Sequence, residues 1–168
     1  MELILKTEEI KMYKILVVTV LILTVGCSYK APFLSSKPYY VIIKNSQIAV
    51  ADTGFMNKNN KRINLQLFSA ATPILNLDIK NNICLDYVCV SRETFNEKFF
   101  GYLHYDDFIN NLLNFKPIYD KKNLQITKMG FEQKITTDKF SIIYIVKEEN
   151  LYFKDKKNRV LIKLEELK

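Results

Sequence analysis

Few residues of this 168-residue chain could do chemistry, and it has a single histidine, His104. A histidine titrates near neutrality and can act as a general base. No Ser, Cys or Asp stands near His104 in a nucleophile context. Beside Asp106 it reads as a surface or helix-capping residue. Asp106 and Asp107 form a carboxylate pair that could share a proton or hold a cation. They precede an apolar stripe of Phe108, Ile109, Leu112 and Leu113. In that place they read as an N-cap and an acidic first turn, which the helix dipole favours. Cys84 and Cys89 lack the second Cys or His pair that a zinc site needs. The expectation is a protein that is not an enzyme and takes no metal or cofactor.

The elements that hold these residues show in the hydropathy pattern. Residues 40–43 and 47–51 read as two strands joined at Asn45 and Ser46, and 57–61 as a polar turn. Ile63, Leu65 and Leu67 alternate with Asn64 and Gln66. Leu75, Leu77 and Ile79 alternate with Asn76 and Asp78. Period-two alternation marks half-buried antiparallel strands. Residues 83–90 read as a short hairpin with Asp86 and Tyr87 at its turn. That turn sets Cys84 opposite Cys89 as a non-hydrogen-bonded pair, with Cα atoms about 4.5 Å apart, at the short end of disulfide range. A disulfide there closes a small ring and contributes roughly 2 kcal/mol in the loop-entropy model. Two reduced structural cysteines, or a redox-active pair, are the other readings.

Ser91 is placed to cap a helix with Phe95 and Phe99 on one face. Asp106 is placed to cap a second helix that Pro117 stops. A loop at 119–123 precedes strands at 131–135, 140–146, 151–154 and 160–164, the last two joined by a turn at 155–158. The pattern predicts an α+β domain: one strongly curved antiparallel sheet, a half-barrel, with about two helices on its concave side.

Composition narrows the function classes. The chain is 48% apolar and 26% charged, with 4 Gly, 11 Phe, 10 Tyr and no Trp. That excludes disordered and collagen-like chains and leaves little room for Gly-rich phosphate loops. The N-terminus is more specific. Lys11 and Lys14 precede an apolar run at 15–26 that ends Leu23-Thr24-Val25-Gly26-Cys27-Ser28. As a helix the run spans about 18 Å, too short for a bilayer core of roughly 30 Å. Short, basic at its start and closed by small residues, it reads as a secretory signal. The Cys after Gly26 resembles the lipobox of bacterial lipoproteins, with Thr24 where that family usually has Leu, Val or Ile. The resemblance implies a signal peptide at 1–26, with Met12 a candidate start, lipidation of Cys27, and an anchor and tether over 27–38. The folded domain is then 39–168. Export to an oxidising compartment favours the Cys84–Cys89 disulfide. It also leaves no role for nucleic acid behind the net charge of +7. Ser28 is not the Asp that in this family favours the inner membrane, which implies the outer membrane, facing the periplasm.

Several runs resemble LolB, the outer-membrane lipoprotein receptor. Asn64-Leu65-Gln66-Leu67 through Leu75-Asn76-Leu77-Asp78 is similar to its paired strands. Leu112-Leu113-Asn114-Phe115-Lys116-Pro117-Ile118 is similar to its helix ending in a Pro turn. Asn123-Leu124-Gln125-Ile126 through Gly130-Phe131-Glu132-Gln133-Lys134, and Asn158-Arg159-Val160-Leu161-Ile162-Lys163-Leu164, are similar to its later strands. The chain also resembles small lipoproteins of epsilonproteobacteria. Where LolB carries an exposed Leu between the paired strands, this chain has Ser69-Ala70-Ala71-Thr72-Pro73. The resemblance implies an apolar pocket that shields acyl chains, with Leu65, Leu67, Leu75, Leu77, Phe108, Leu112, Ile142 and Tyr144 facing inward. It also implies a LolA-like periplasmic carrier as partner and lipoproteins as cargo. The alternative reading is a structural or assembly lipoprotein that binds an envelope protein and has no cavity. A hollow or a filled layer beneath the helices separates the two.

Overall fold

A computed structural model describes residues 33–168. The expected signal segment, Cys27 and the tether as far as residue 32 lie outside the described residues. The elements in chain order are β1 (Ser35–Lys44), β2 (Ala49–Asn59), β3 (Arg62–Ser69), β4 (Thr72–Ile79), β5 (Ile83–Leu85), β6 (Val88–Val90), α1 (Arg92–Phe100), α2 (Phe108–Leu113), a 3-10 turn (Tyr119–Lys121), β7 (Leu124–Thr127), β8 (Gly130–Thr136), β9 (Ser141–Lys147), β10 (Asn150–Asp155) and β11 (Val160–Glu166). All eleven strands join one antiparallel sheet in the order β6-β5-β4-β3-β2-β1-β11-β10-β9-β8-β7. The chain is thus α+β with one open sheet. The sheet builds outward by hairpins from β1 to the β6 edge, restarts at the β7 edge and returns to β11 beside β1. Residues 91–123 join β6 to β7, so they must cross the sheet from one edge to the other.

They cross over its apolar face. Alternate residues of nearly every strand point to one side: Tyr39, Val41 and Ile43 of β1, Leu65 and Leu67 of β3, Tyr144 of β9, Phe153 of β10, Ile162 and Leu164 of β11, all buried. The crossing segment covers them. Phe100 and Phe108 meet Phe153 with ring centroids 5.7 and 5.8 Å apart. The Tyr144 hydroxyl reaches the Leu112 carbonyl at 3.4 Å. Burial of apolar side chains at about 25 cal/mol per Å² is what holds these layers together.

Four local readings change. Strand β1 starts at Ser35, inside the stretch expected to be tether, and Ser35 pairs with Lys58. Pro38, paired with Phe55 of β2, is tolerated there because its carbonyl side faces β11, whose pairing begins only at Tyr39, so its missing N–H interrupts no ladder. Strand β2 runs on through the expected polar turn to Asn59, since Met56 and Lys58 still point into the layer. Strand β7 stands in front of β8 where the residue pattern gave a loop and then strands only from 131; it pairs Leu124 with Gln133. Asp107, not Asp106, is the N-cap residue of α2, and it makes no side-chain cap bond. Its carboxylate pairs with the Arg92 guanidinium instead. Helix α1 starts as expected: Ser91 Oγ accepts from Thr94 N–H at 3.2 Å. Gly101, left-handed at φ 71°, ends it.

Candidate functional site

The eight residues expected to line an acyl pocket are all brought to one place. Leu65, Leu67, Leu75, Leu77, Phe108, Leu112, Ile142 and Tyr144 are all buried in a single apolar cluster. None of the eight is among the lining residues of five clefts of the described residues, which range from about 200 to 690 Å³. The space beneath the helices is taken up by aromatic rings, each edge-on or stacked against the next. Phe100 meets Phe108 at 4.9 Å and Phe99 at 4.9 Å, and Phe95 stacks on Phe99 at 5.0 Å.

His104 is part of this filling and not a surface or capping residue. It is buried, with its ring stacked on Phe108 at 3.9 Å. Phe100, Tyr102 and Phe140 also surround it. Nδ1 meets the Tyr119 hydroxyl, while Nε2 is buried with no hydrogen-bond partner. Burial lowers its pKa to about 4, against a smaller upward pull from Asp155. It is therefore neutral at pH 7. Asn96 is the second buried polar residue of the crossing segment. Its Nδ2 donates to Tyr105 O at 2.8 Å, and its Oδ1 has no partner.

The apolar face reaches solvent at one edge. A cleft of about 380 Å³ lies between the β5–β6 hairpin, α1 and the β1–β2 turn, lined by Leu85, Tyr87, Val88, Val90, Phe95 and Phe99, with Gln47, Asp86 and Lys98 at its margin. Phe95 and Phe99 belong to the buried cluster as well, so the floor of the cleft is the rim of the core. Asn45 Nδ2 donates to Phe99 O at 2.9 Å and ties the end of α1 to the β1–β2 turn. Arg92 fixes the start of α1 by donating to the Lys80 carbonyl from Nε at 3.0 Å. Tyr87, at the hairpin tip, is 101% exposed, and Val88 68%.

The other face of the same hairpin carries the cysteines. Cys84 and Cys89 are directly opposed and joined by a disulfide, with Cα atoms 3.9 Å apart. They line a separate cleft of about 490 Å³ with Asn59, Lys61, Arg62, Lys80, Asn81 and Asn82. A third opening, about 690 Å³, lies near the far end of the crossing segment between Tyr105, Asn111, Lys116 and the 3-10 turn. Among the described residues no group of three His, Cys, Asp or Glu could hold a metal ion. No helix there is long and apolar enough to cross a membrane.

The apolar cleft is the site that the sequence pattern missed. Its lining comes from three separated segments. The available signal was the hairpin itself, where Leu85, Val88 and Val90 alternate with the two cysteines. No protein-family model matches the chain, and no curated protein matches it.

Proposed function

We propose that this chain is a lipid-anchored envelope protein that takes up an acyl chain, a LolB-like receptor held by Cys27 to the outer membrane and facing the periplasm. The observation that carries this reading is the apolar cleft floored by Phe95 and Phe99. Its volume lies in the range of small-molecule sites. Each methylene it shields contributes about 0.8 kcal/mol. Lys98 at the margin can pair with a carboxylate or phosphate headgroup. A longer chain needs more room, and the cover is suited to give way. It consists of helices of nine and six residues, and it holds two buried polar atoms without partners. Such segments belong to the low-stability end of a fold. In this reading the sheet curves as a half-barrel around the helices, the acyl chain displaces aromatic side chains beneath them, and a bilayer takes the chain back as the better apolar solvent. No bond is broken and no cofactor is involved. A LolA-like carrier would deliver the cargo.

The filled layer favours a second reading: a structural or assembly lipoprotein that binds an envelope protein. Two assays separate them. A fluorescent acyl probe should bind the full chain, and Val88→Asp should weaken binding by about tenfold through lost apolar contact and a buried charge. Val88 is exposed, so the urea midpoint should not move. A carrier loaded with lipidated cargo should pass that cargo to the chain. A folded chain that neither binds the probe nor accepts cargo sinks the acyl reading and leaves the protein-partner one.

A further inference from the structure

We propose that the Cys84–Cys89 disulfide is a thiol–disulfide exchange site that takes a small anionic thiol. Cys89 is exposed and lies on β6, the edge strand of the sheet among the described residues. Cys84 is half-buried between β4 and β6. An incoming thiolate therefore has open access to Cys89 Sγ, and exposed disulfides are the labile ones.

The cleft that leads to the pair is cationic. Lys61, Arg62 and Lys80 line it together with the two sulfurs. Asp78 faces Cys84 across the β4–β5 ladder, but its charge is already taken up. Arg62 donates to its two oxygens at 2.5 and 3.0 Å, and Lys80 Nζ lies 2.9 Å away. Three cations against one carboxylate leave two positive charges in excess. Such a wall concentrates an anionic thiol and stabilises the sulfur anion that leaves.

The step balances without another reactant. The thiolate attacks Cys89 Sγ and forms a mixed disulfide, the Cys84–Cys89 bond breaks, and its electron pair leaves on Cys84 Sγ. A second thiolate attacks the outer sulfur of the mixed disulfide and releases the oxidised small disulfide with Cys89 as thiolate. Two protons then complete the dithiol. The protein disulfide is reduced by two electrons and the two small thiols are oxidised.

Exchange at this pair has a consequence on the other face of the hairpin. Leu85, Val88 and Val90, on the same two short strands, wall the apolar cleft. The staple across those strands restrains that wall, so opening it loosens the cleft. This consequence rests on the acyl reading; the exchange itself does not.

The test treats the full chain, in detergent, with glutathione, a thiol carrying excess negative charge, and with cysteamine, a cationic thiol, at matched thiolate concentration. Peptide mass mapping should find the mixed disulfide on Cys89. Glutathione should react faster than cysteamine by about tenfold at low salt, and the ratio should fall toward one at high salt. Lys61→Gln with Lys80→Gln should remove the preference. Both side chains are exposed, and Lys61→Gln alone should remove part of it if the double variant folds poorly. No adduct on the folded chain, or cysteamine reacting as fast as glutathione, overturns the proposal. A parallel titration with the acyl probe compares the disulfide and dithiol forms. Weaker binding by the dithiol form supports the coupling, and equal binding refutes it. Absence of probe binding in both forms counts against the acyl reading alone, because the adduct is read by mass.

Discussion

Gln133 grips Ile118 at both ends of its backbone. Its Oε1 accepts from Ile118 N–H at 2.8 Å and its Nε2 donates to Ile118 C=O at 2.9 Å. The same Nε2 also donates to Lys122 O at 2.7 Å. Gln133 is a fully buried residue of β8, and Ile118 leads into the 3-10 turn. Between the gripped residues, Tyr119, Asp120 and Lys121 are all left-handed, at φ 47°, 48° and 64°. Non-glycine residues hold that conformation at a cost of order 1–3 kcal/mol each, and only where the surroundings over-determine it. One amide on the sheet thus fixes the path by which the crossing segment comes down to β7.

Gln133→Met keeps the length of the side chain and removes its polar atoms. Ile118 N–H is then buried without its partner, at about 1–3 kcal/mol, while Ile118 C=O keeps the Lys121 N–H at 3.1 Å. The urea midpoint should fall accordingly, and amide exchange at Ile118 and Lys122 should quicken before global unfolding. An unchanged midpoint would mean that the turn holds itself.

Gly54 on β2 sits where no side chain fits. A Cβ there would lie 2.0 Å from Gln66 O and 3.0 Å from Leu67 Cα, both backbone atoms of β3. Backbone cannot yield as a flexible side chain does, so Gly54→Ala must part β2 from β3. The expected loss exceeds about 3 kcal/mol, at the large end for single substitutions. A thermal melt within a degree of the wild type would count against this close approach.

Much of the sheet was legible because period-two alternation needs only local sequence. Leu65 and Leu67 against Asn64 and Gln66 fix both the strand and its face, and a two-residue turn at Asp86 and Tyr87 fixes the register that opposes Cys84 to Cys89. Strand β7 escaped the residue pattern because it has four residues and its Ile126 is 76% exposed. A short edge strand has too little alternation to distinguish it from a loop. The burial of His104 was not legible, since Phe140, one of its neighbours, stands 36 positions away in the chain. Nor could a pattern tell a hollow layer from a filled one. That depends on how the rings of Phe95, Phe99, Phe100 and Phe108 share one volume, which periodicity does not encode.

His104 makes the fold acid-sensitive. Its folded pKa of about 4 lies below the value near 6.5 of the unfolded chain. The unfolded state therefore binds the extra proton first as pH falls. Stability is complete above about pH 6.5 and is lost as pH drops toward 4, by up to about 3 kcal/mol. Urea midpoints at pH 7.5 and 5.0 should show that drop. His104→Phe should show a smaller drop between those pH values, whatever it costs at pH 7.5 by leaving the Tyr119 hydroxyl unpaired. Equal slopes in the two proteins would remove His104 as the cause.

Lys58 gives a dependence of the same sign in a separate window, at alkaline pH. It points from β2 into the layer, where Nζ donates to the carbonyl of Leu113, the last residue of α2, at 2.6 Å. Nζ also lies 4.4 Å from the centre of the Phe115 ring. Burial lowers its pKa to about 8, with Lys37 adding to the shift and Glu149 opposing it. The unfolded value is near 10.4. Between these values the unfolded chain holds the proton that the folded chain has released, so stability rises with pH from about 8 upward. Tyr39, Tyr119 and Tyr144, all raised by burial, pull the other way above the ordinary tyrosine range. The clean window therefore closes near pH 9.5. Within it the wild type should gain about 1–2 kcal/mol, and Lys58→Met should be flat. Lys58→Met also releases the Leu113 carbonyl, so the amide of Phe115, bonded to Leu112 O at 2.9 Å, should exchange faster than in the wild type. A wild type that gains nothing between pH 7.5 and 9.5 would mean that the ammonium is already well solvated where it sits.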